Sequence, residues 1–205
     1  MELYASPLSC SMATKIALKE IDENAVIHNV TLSTKKVADG RDFWGVNPKG
    51  LVPALVTREG ALLTEGPAVL QYVADLKPEK GLAPRAGTFA RYELQQWLNY
   101  IATEIHKTVF AQIFNPNTPP ASKDFARTVA PAKLKIVEDR LTDREFLLDG
   151  FTVADAYLAT VLNWCAPAGV SLDAFPALKA YSARMNSRPS VAAVLGEDLK
   201  LAGRA

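Results

Sequence analysis

Asn47-Pro48-Lys49-Gly50-Leu51-Val52-Pro53-Ala54-Leu55-Val56-Thr57-Arg58-Glu59-Gly60-Ala61-Leu62-Leu63-Thr64-Glu65-Gly66-Pro67 is the stretch on which the fold turns. It opens on a dense turn signal, Asn-Pro-Lys-Gly. Residues 54–57 and 61–63 then read as two short strands around Arg58-Glu59-Gly60, which is hairpin spacing. Thr64-Glu65-Gly66-Pro67 starts a helix running to about Leu76. Proline suits the first helical turn, where its missing N–H costs nothing.

Working outward, residues 2–5 read as a strand and residues 6–9 as a loop. Residues 10–21 carry Met12, Ile16 and Leu18 with Lys15, Lys19 and Glu20 between them, the pattern of an amphipathic helix. Residues 25–30 read as a second strand. Residues 35–46 are polar and irregular, with a helical turn. The order is βαβ followed by ββα, which predicts a small mixed sheet with helices packed on it.

Toward the C-terminus, Lys77-Pro78-Glu79-Lys80-Gly81-Leu82-Ala83-Pro84-Arg85-Ala86-Gly87 is rich in Pro, Gly and charge, as a linker is. Everything beyond it reads as helix: residues 88–114, 123–141 with a disturbance near Pro131, 152–165, 175–186 and 190–195. A proline-rich tract, residues 115–120, breaks the first of these. The expected division is a domain over residues 1–80, a linker over 81–87 and an all-helical domain over 88–205. No internal repeat is present.

Composition bounds the function. The 205 residues are 49% hydrophobic and 22% charged, ordinary for a globular chain with a sizeable core. Formal net charge is +1 with Lys and Arg dispersed, so neither nucleic acid nor an anionic membrane surface is an expected partner. No apolar run reaches the roughly 18 residues of a spanning helix. Met1-Glu2-Leu3-Tyr4 lacks the features of a secretory signal, so a cytoplasmic location is expected. Two cysteines, Cys10 and Cys165, are too few for a disulfide framework and are expected as free thiols. With two histidines, His28 and His106, and no HExxH-type cluster, no metal is expected.

Several residues could carry chemistry. Cys10 follows a strand and a loop and stands at a helix start, where backbone N–H groups and the helix dipole favour a thiolate. Ser9 and Ser11 flank it as hydroxyl donors. The competing reading is a small buried apolar side chain. Val52-Pro53 stands directly before a strand. A cis bond there would let Val52 offer its N–H and C=O to an extended peptide. On the residues alone, an ordinary trans proline at a strand start is the favoured reading. Glu65-Gly66 offers a carboxylate and bare amides to a zwitterion. Helix capping by Thr64 is the plainer reading.

Within residues 88–114, Leu94, Trp97, Leu98, Ile101 and Ile105 share one face, and Tyr92, Gln95, Asn99, Thr103 and His106 the other. Uncharged hydrogen-bonding groups there suit a cleft or subunit interface. A mixed solvent face is the alternative. Thr152 and Asp155 form a capping-box pattern with a folding role. Cys165 stands in an apolar helix and reads as a buried structural thiol.

These segments fall in a familiar order. Leu3-Tyr4-Ala5-Ser6-Pro7 with Ser9-Cys10-Ser11, Val46-Asn47-Pro48-Lys49-Gly50 with Val52-Pro53-Ala54-Leu55, Leu63-Thr64-Glu65-Gly66-Pro67-Ala68, Gln71-Tyr72-Val73-Ala74-Asp75, Gln95-Gln96-Trp97-Leu98-Asn99, Glu104-Ile105-His106-Lys107 and Thr152-Val153-Ala154-Asp155 resemble the glutathione transferase superfamily, bacterial beta class, over nearly the whole chain.

The resemblance implies a thioredoxin-like N-terminal domain, an all-helical C-terminal domain with an acceptor pocket, and a homodimer. It implies glutathione as cosubstrate, its thiolate attacking small hydrophobic electrophiles in detoxification. It implies a cis Pro53, with Val52 on the cysteinyl part of glutathione, Glu65 and Gly66 on the γ-glutamyl end and Lys35 near the glycine carboxylate. Cys10 would face the glutathione sulfur, approached by His106, both with catalytic roles. Asn99, Thr103 and Glu104 would reach glutathione from the facing subunit or line the interface. Two further functions fit the scaffold: glutathione-dependent thiol–disulfide exchange or peroxide reduction through Cys10, and non-catalytic binding of apolar ligands or a protein. Gly66 departs from the pattern, since much of the superfamily has serine there, and Tyr4 lies near where other classes place an activating tyrosine. The tract 115–120 borders the expected acceptor pocket.

Overall fold

The structure is a computed structural model describing residues 1–203. Its elements in chain order are β1 (Glu2–Ala5), α1 (Ser11–Glu20), β2 (Val26–Thr31), β3 (Lys36–Val37), a 3₁₀ turn (Phe43–Gly45), β4 (Ala54–Val56), β5 (Leu62–Thr64) and α2 (Gly66–Leu76). A second 3₁₀ turn (Pro78–Lys80) leads to α3 (Phe89–Tyr100), a π-helical segment (Ile101–Phe110) and α4 (Ala111–Phe114). Then come α5 (Pro120–Leu141), α6 (Val153–Leu162), α7 (Cys165–Ala168), α8 (Pro176–Ser187) and α9 (Pro189–Leu201). By packing, the chain forms two compact units: Met1–Ala83 together with the segment from Pro189 onward, and Pro84–Arg188.

The first unit is built on a five-stranded sheet in the order β3-β2-β1-β4-β5. β1 runs parallel to β2 and antiparallel to β4, and β4 and β5 form the expected hairpin. β1 is central, and Leu3, Tyr4 and Ala5 are all buried, which is why it reads as an unbroken apolar run rather than an alternation. Helix α1 packs against α2 and α9. Residues 11–18 of α1 are buried throughout.

Residues 35–46 are more ordered than their polarity suggests. Val37 pairs with Val30 in β3, and Phe43, fully buried, sits in the 3₁₀ turn. Both join Tyr4, Val30, Val52 and Ala54 in one cluster. Two apolar residues among charges are too sparse to show a period, yet they suffice to pin the segment.

The division differs from the expected one at the C-terminus. α9 packs with the first unit, not with the helical segment before it. α9 buries Val191 and Val194, and a buried ion pair adds to that packing. Asp198 on α9 is fully buried, and a buried carboxylate needs a partner. It is ion-paired to Lys15 on α1 and accepts the Leu8 N–H at 2.9 Å. Ser190 adds a contact to Glu20 on the same helix.

The second unit is helical throughout. The face of Leu94, Trp97, Leu98, Ile101 and Ile105 is buried as expected. The helix does run from residue 89 to 114, but its middle is wound as a π-helix. The Thr108 hydroxyl donates to the Thr103 carbonyl at 2.7 Å, and the Ala111 N–H bonds the His106 carbonyl, both five residues apart. The wider turn moves residue 106 off the register that a 3.6-residue period assigns. Tyr92, Asn99 and Thr103 are exposed, whereas His106 is partly buried and turned to other partners. Pro131 does not interrupt α5. It lies on the exposed side of a helix held by buried Ala126, Ala130, Leu134 and Val137.

Candidate functional site

The candidate residues fall into two groups, one in each unit. In the first, Cys10 is the N-cap residue of α1 and is partly exposed. Its Sγ donates to the Val52 carbonyl at 3.1 Å, a contact that the protonated thiol makes. The Val52–Pro53 peptide is cis. The helix start is less bare than its sequence suggests. The Ser11 and Met12 amides bond the Ser9 hydroxyl and carbonyl, and the Ala13 amide bonds the Cys10 carbonyl. The hydroxyls of Ser9 and Ser11 lie 2.7 Å apart and both contact Ser6. They order the loop leading into Cys10.

Around this point the turn 47–51 is stapled from within. Asn47, buried, donates from Nδ2 to the Leu51 carbonyl at 2.7 Å and accepts the Lys49 N–H at 3.1 Å. Gly50 has φ +61, the region that favours glycine, and the Trp44 ring lies over it, 2.6 Å from where a Cβ would stand. Lys35 donates to the Gly50 carbonyl at 2.8 Å and lies 5.8 Å from the Trp44 ring centroid. The ammonium is thereby docked beside the turn.

Glu65 has φ +69, the left-handed region that a residue with a Cβ enters at a cost. Such outliers gather at ligand sites. Thr64 does not cap α2; its hydroxyl accepts from Lys49 Nζ at 3.0 Å, and the N-cap position belongs to Glu65. Lys49 also pairs with the Glu65 carboxylate at 2.7 Å. Gly66 is the first helical residue, whose N–H has no acceptor within the helix. Lys49 is a polar partner that sequence reasoning passed over. Its only sign was membership of the turn signal.

In the second unit, Asn99 and Thr103 are exposed and joined by a Thr103 hydroxyl to Asn99 carbonyl bond of 3.0 Å. The Glu104 carboxylate is held at 2.5 Å by Lys133 Nζ, whose hydrogen bond and charge keep it below the usual carboxylate range. His106 Nδ1 lies 2.7 Å from the Tyr157 hydroxyl on α6. Its ring stands edge-on to Trp164, 5.0 Å between centroids, and Trp164 continues to Phe110 and Phe114. Tyr157, Trp164 and Lys133 carried no local signal of these roles. Burial, then the charge of Lys107, pushes the His106 imidazole down to about 4. Cys165 is buried and its thiol pushed up to about 12 by that burial, as a structural cysteine should be.

The His106 shift has a sign that can be measured. The unfolded imidazole takes a proton near 6.5 and the folded one only near 4. Stability is therefore full above 6.5 and falls as pH drops through that window. Urea unfolding at pH 7 and at 4.5 should show a loss larger by about 2 kcal/mol in the native chain than in His106→Asn. An identical loss in both would disprove the buried neutral imidazole.

Asp155 anchors α6. It accepts the Thr152 N–H and hydroxyl, each at 2.9 Å, and the Leu147 N–H and Tyr181 hydroxyl, each at 3.0 Å. The Thr152–Asp155 capping box is formed as expected. Among the described residues, no group of three or more His, Cys, Asp or Glu side chains could hold a metal ion. No helix there is long and apolar enough to cross a membrane.

Comparison with known proteins bears directly on these two groups. Residues 1–75 match the glutathione S-transferase N-terminal domain and residues 100–189 the C-terminal domain. Glutathione S-transferase GstA of Escherichia coli O157:H7 is 41% identical, covering 98% of this chain and all of that protein. A solved sphingomonad glutathione S-transferase complexed with glutathione is 39% identical, with a TM-score of 0.92 over 97% of this chain and 98% of that one. A bacterial beta-class enzyme from Sphingomonas chungbukensis is 42% identical, with a TM-score of 0.93 over 97% of this chain and 98% of that one. Both halves match in order and full-length relatives superimpose closely, so the chain belongs to the glutathione S-transferase family, with beta-class members among its relatives.

Proposed function

We propose that this chain is a glutathione transferase that binds glutathione as cosubstrate and directs its thiolate onto small apolar electrophiles. A carbon–sulfur bond forms, the leaving group departs, and the thiol proton is released to solvent. The site need only hold the thiolate and place it against the acceptor. The observation that carries the reading is the Cys10 thiol on the carbonyl of Val52, at a cis Val52–Pro53 junction. That backbone edge is the one the family resemblance assigns to the cysteinyl part of glutathione. The likeness to a sphingomonad enzyme complexed with glutathione supports it.

In this reading Glu65, Gly66 and Lys49 receive the γ-glutamyl end and Lys35 the glycine carboxylate. Cys10 meets the sulfur and His106 tunes it. Asn99 and Thr103, exposed on α3 and its continuation, serve glutathione or the contact with a second subunit in a cytoplasmic homodimer. Glu104 does so through its pair with Lys133.

Calorimetry with glutathione tests the reading. Glu65→Gln removes the charge that meets the ligand ammonium and should weaken binding by about 10- to 100-fold. Absence of glutathione binding by the native chain would sink the proposal.

A second reading is glutathione-dependent disulfide exchange, for which Cys10, partly exposed at the start of α1, is the available sulfur. There the Cys10 thiolate attacks a disulfide, one S–S bond forms, and the other sulfur leaves as thiolate. A non-catalytic binding role would show as glutathione binding with no acceptor turned over.

A further inference from the structure

We infer that Tyr157 is a positioning residue for His106: its hydroxyl donates to Nδ1 and holds the imidazole in the tautomer with the proton on Nε2. The tautomer decides what His106 can offer. With Nδ1 occupied as an acceptor, Nε2 carries the hydrogen, and the ring meets an anionic sulfur as a hydrogen-bond donor rather than as a base. That last step rests on the proposed transferase function; the tautomer itself does not.

Three observations carry it. The Nδ1 to hydroxyl distance of 2.7 Å is a full hydrogen bond, and of the two groups the phenol is the stronger donor and the bare imidazole nitrogen the stronger acceptor. The two rings stand perpendicular at 89°, and Trp164, just before α7, meets the imidazole with its ring plane at 62°, so the ring is restrained by two aromatic neighbours. Finally, Tyr157 is held rigidly. Every residue of α6 is buried, and the helix is fastened by the Asp155 capping box two positions earlier. A hydroxyl on so fixed an element sets the tautomer of its partner, as the orienting group does in other histidine sites. Of the two charged groups on the ring's own segment, Glu104 is paired to Lys133 and Lys107 disfavours a second proton on the ring.

Nitrogen-15 spectra of the imidazoles test this directly, since the chain holds only two histidines and His28→Gln assigns the other. The native protein at pH 7 should show His106 Nε2 protonated and Nδ1 as a bare, hydrogen-bonded nitrogen. Tyr157→Phe should release Nδ1 and populate both tautomers, and should lower kcat for conjugation about 10-fold with KM for glutathione unchanged. A native protein with the proton on Nδ1 overturns the inference, and this reading needs no variant to fold. So does a Tyr157→Phe protein whose tautomer or kcat matches the native one. If glutathione fails to bind while the native spectrum is as expected, the transferase reading falls and the tautomer assignment stands.

Discussion

Replacing Asp155 with alanine is expected to lower the unfolding free energy by about 3–4 kcal/mol, which is large for a single side chain. The carboxylate is fully buried and accepts hydrogen bonds from the Thr152 N–H and hydroxyl, the Leu147 N–H and the Tyr181 hydroxyl. Alanine leaves these donors in an apolar interior with nothing to bond. Each unsatisfied donor costs about 1–3 kcal/mol, partly recovered where a water can enter. The loss is local in origin but spreads, because the same residue starts α6, which carries Tyr157. Urea unfolding monitored by circular dichroism gives the number. A loss below about 1 kcal/mol would mean that the cap, not the buried network, is all that Asp155 supplies.

Replacing Cys10 with alanine is expected to separate the two chemistries open to this scaffold. Disulfide exchange should fall by at least about 100-fold, because the attacking sulfur is gone. The chain's other cysteine cannot replace it: Cys165 is buried, and its thiol is pushed up to about 12. Conjugation of a model aryl halide should stay within about 10-fold of native, since the nucleophile there is the sulfur of glutathione. The test is to assay both reactions on one preparation. Retention of both activities would remove Cys10 from the sulfur's surroundings. Loss of conjugation as well would assign Cys10 to holding the thiolate rather than to redox chemistry.

Much of the fold was legible because its signals are local. The hairpin showed itself through Arg58-Glu59-Gly60 between apolar runs, and α2 through Pro67 in its first turn. The Thr152–Asp155 box was readable because its two partners are three residues apart. β3 was not readable, since its order depends on Val37 and Phe43 entering a cluster with Tyr4 and Val52. Nor was the π winding of residues 101–110. It shifts the turn by one residue, and a 3.6-residue period put His106 on the same side as Asn99 and Thr103, whereas the ring turns to Tyr157 and Trp164.

The candidate site divides along the same line. Cys10, Val52, Glu65 and Gly66 could be singled out from turn chemistry and helix starts alone, and the ordered motifs named their family. The order of elements, the family and the residues at element ends are thus written in local pattern. The tertiary structure alone decided their partners: Lys49 for Glu65, Lys133 for Glu104, Tyr157 for His106, and Lys15 for Asp198. Periodicity and turn chemistry act over a few residues, while these contacts join groups 16 to 183 residues apart. Buried or half-buried polar groups must find partners wherever packing brings them. No local pattern encodes which partner that will be.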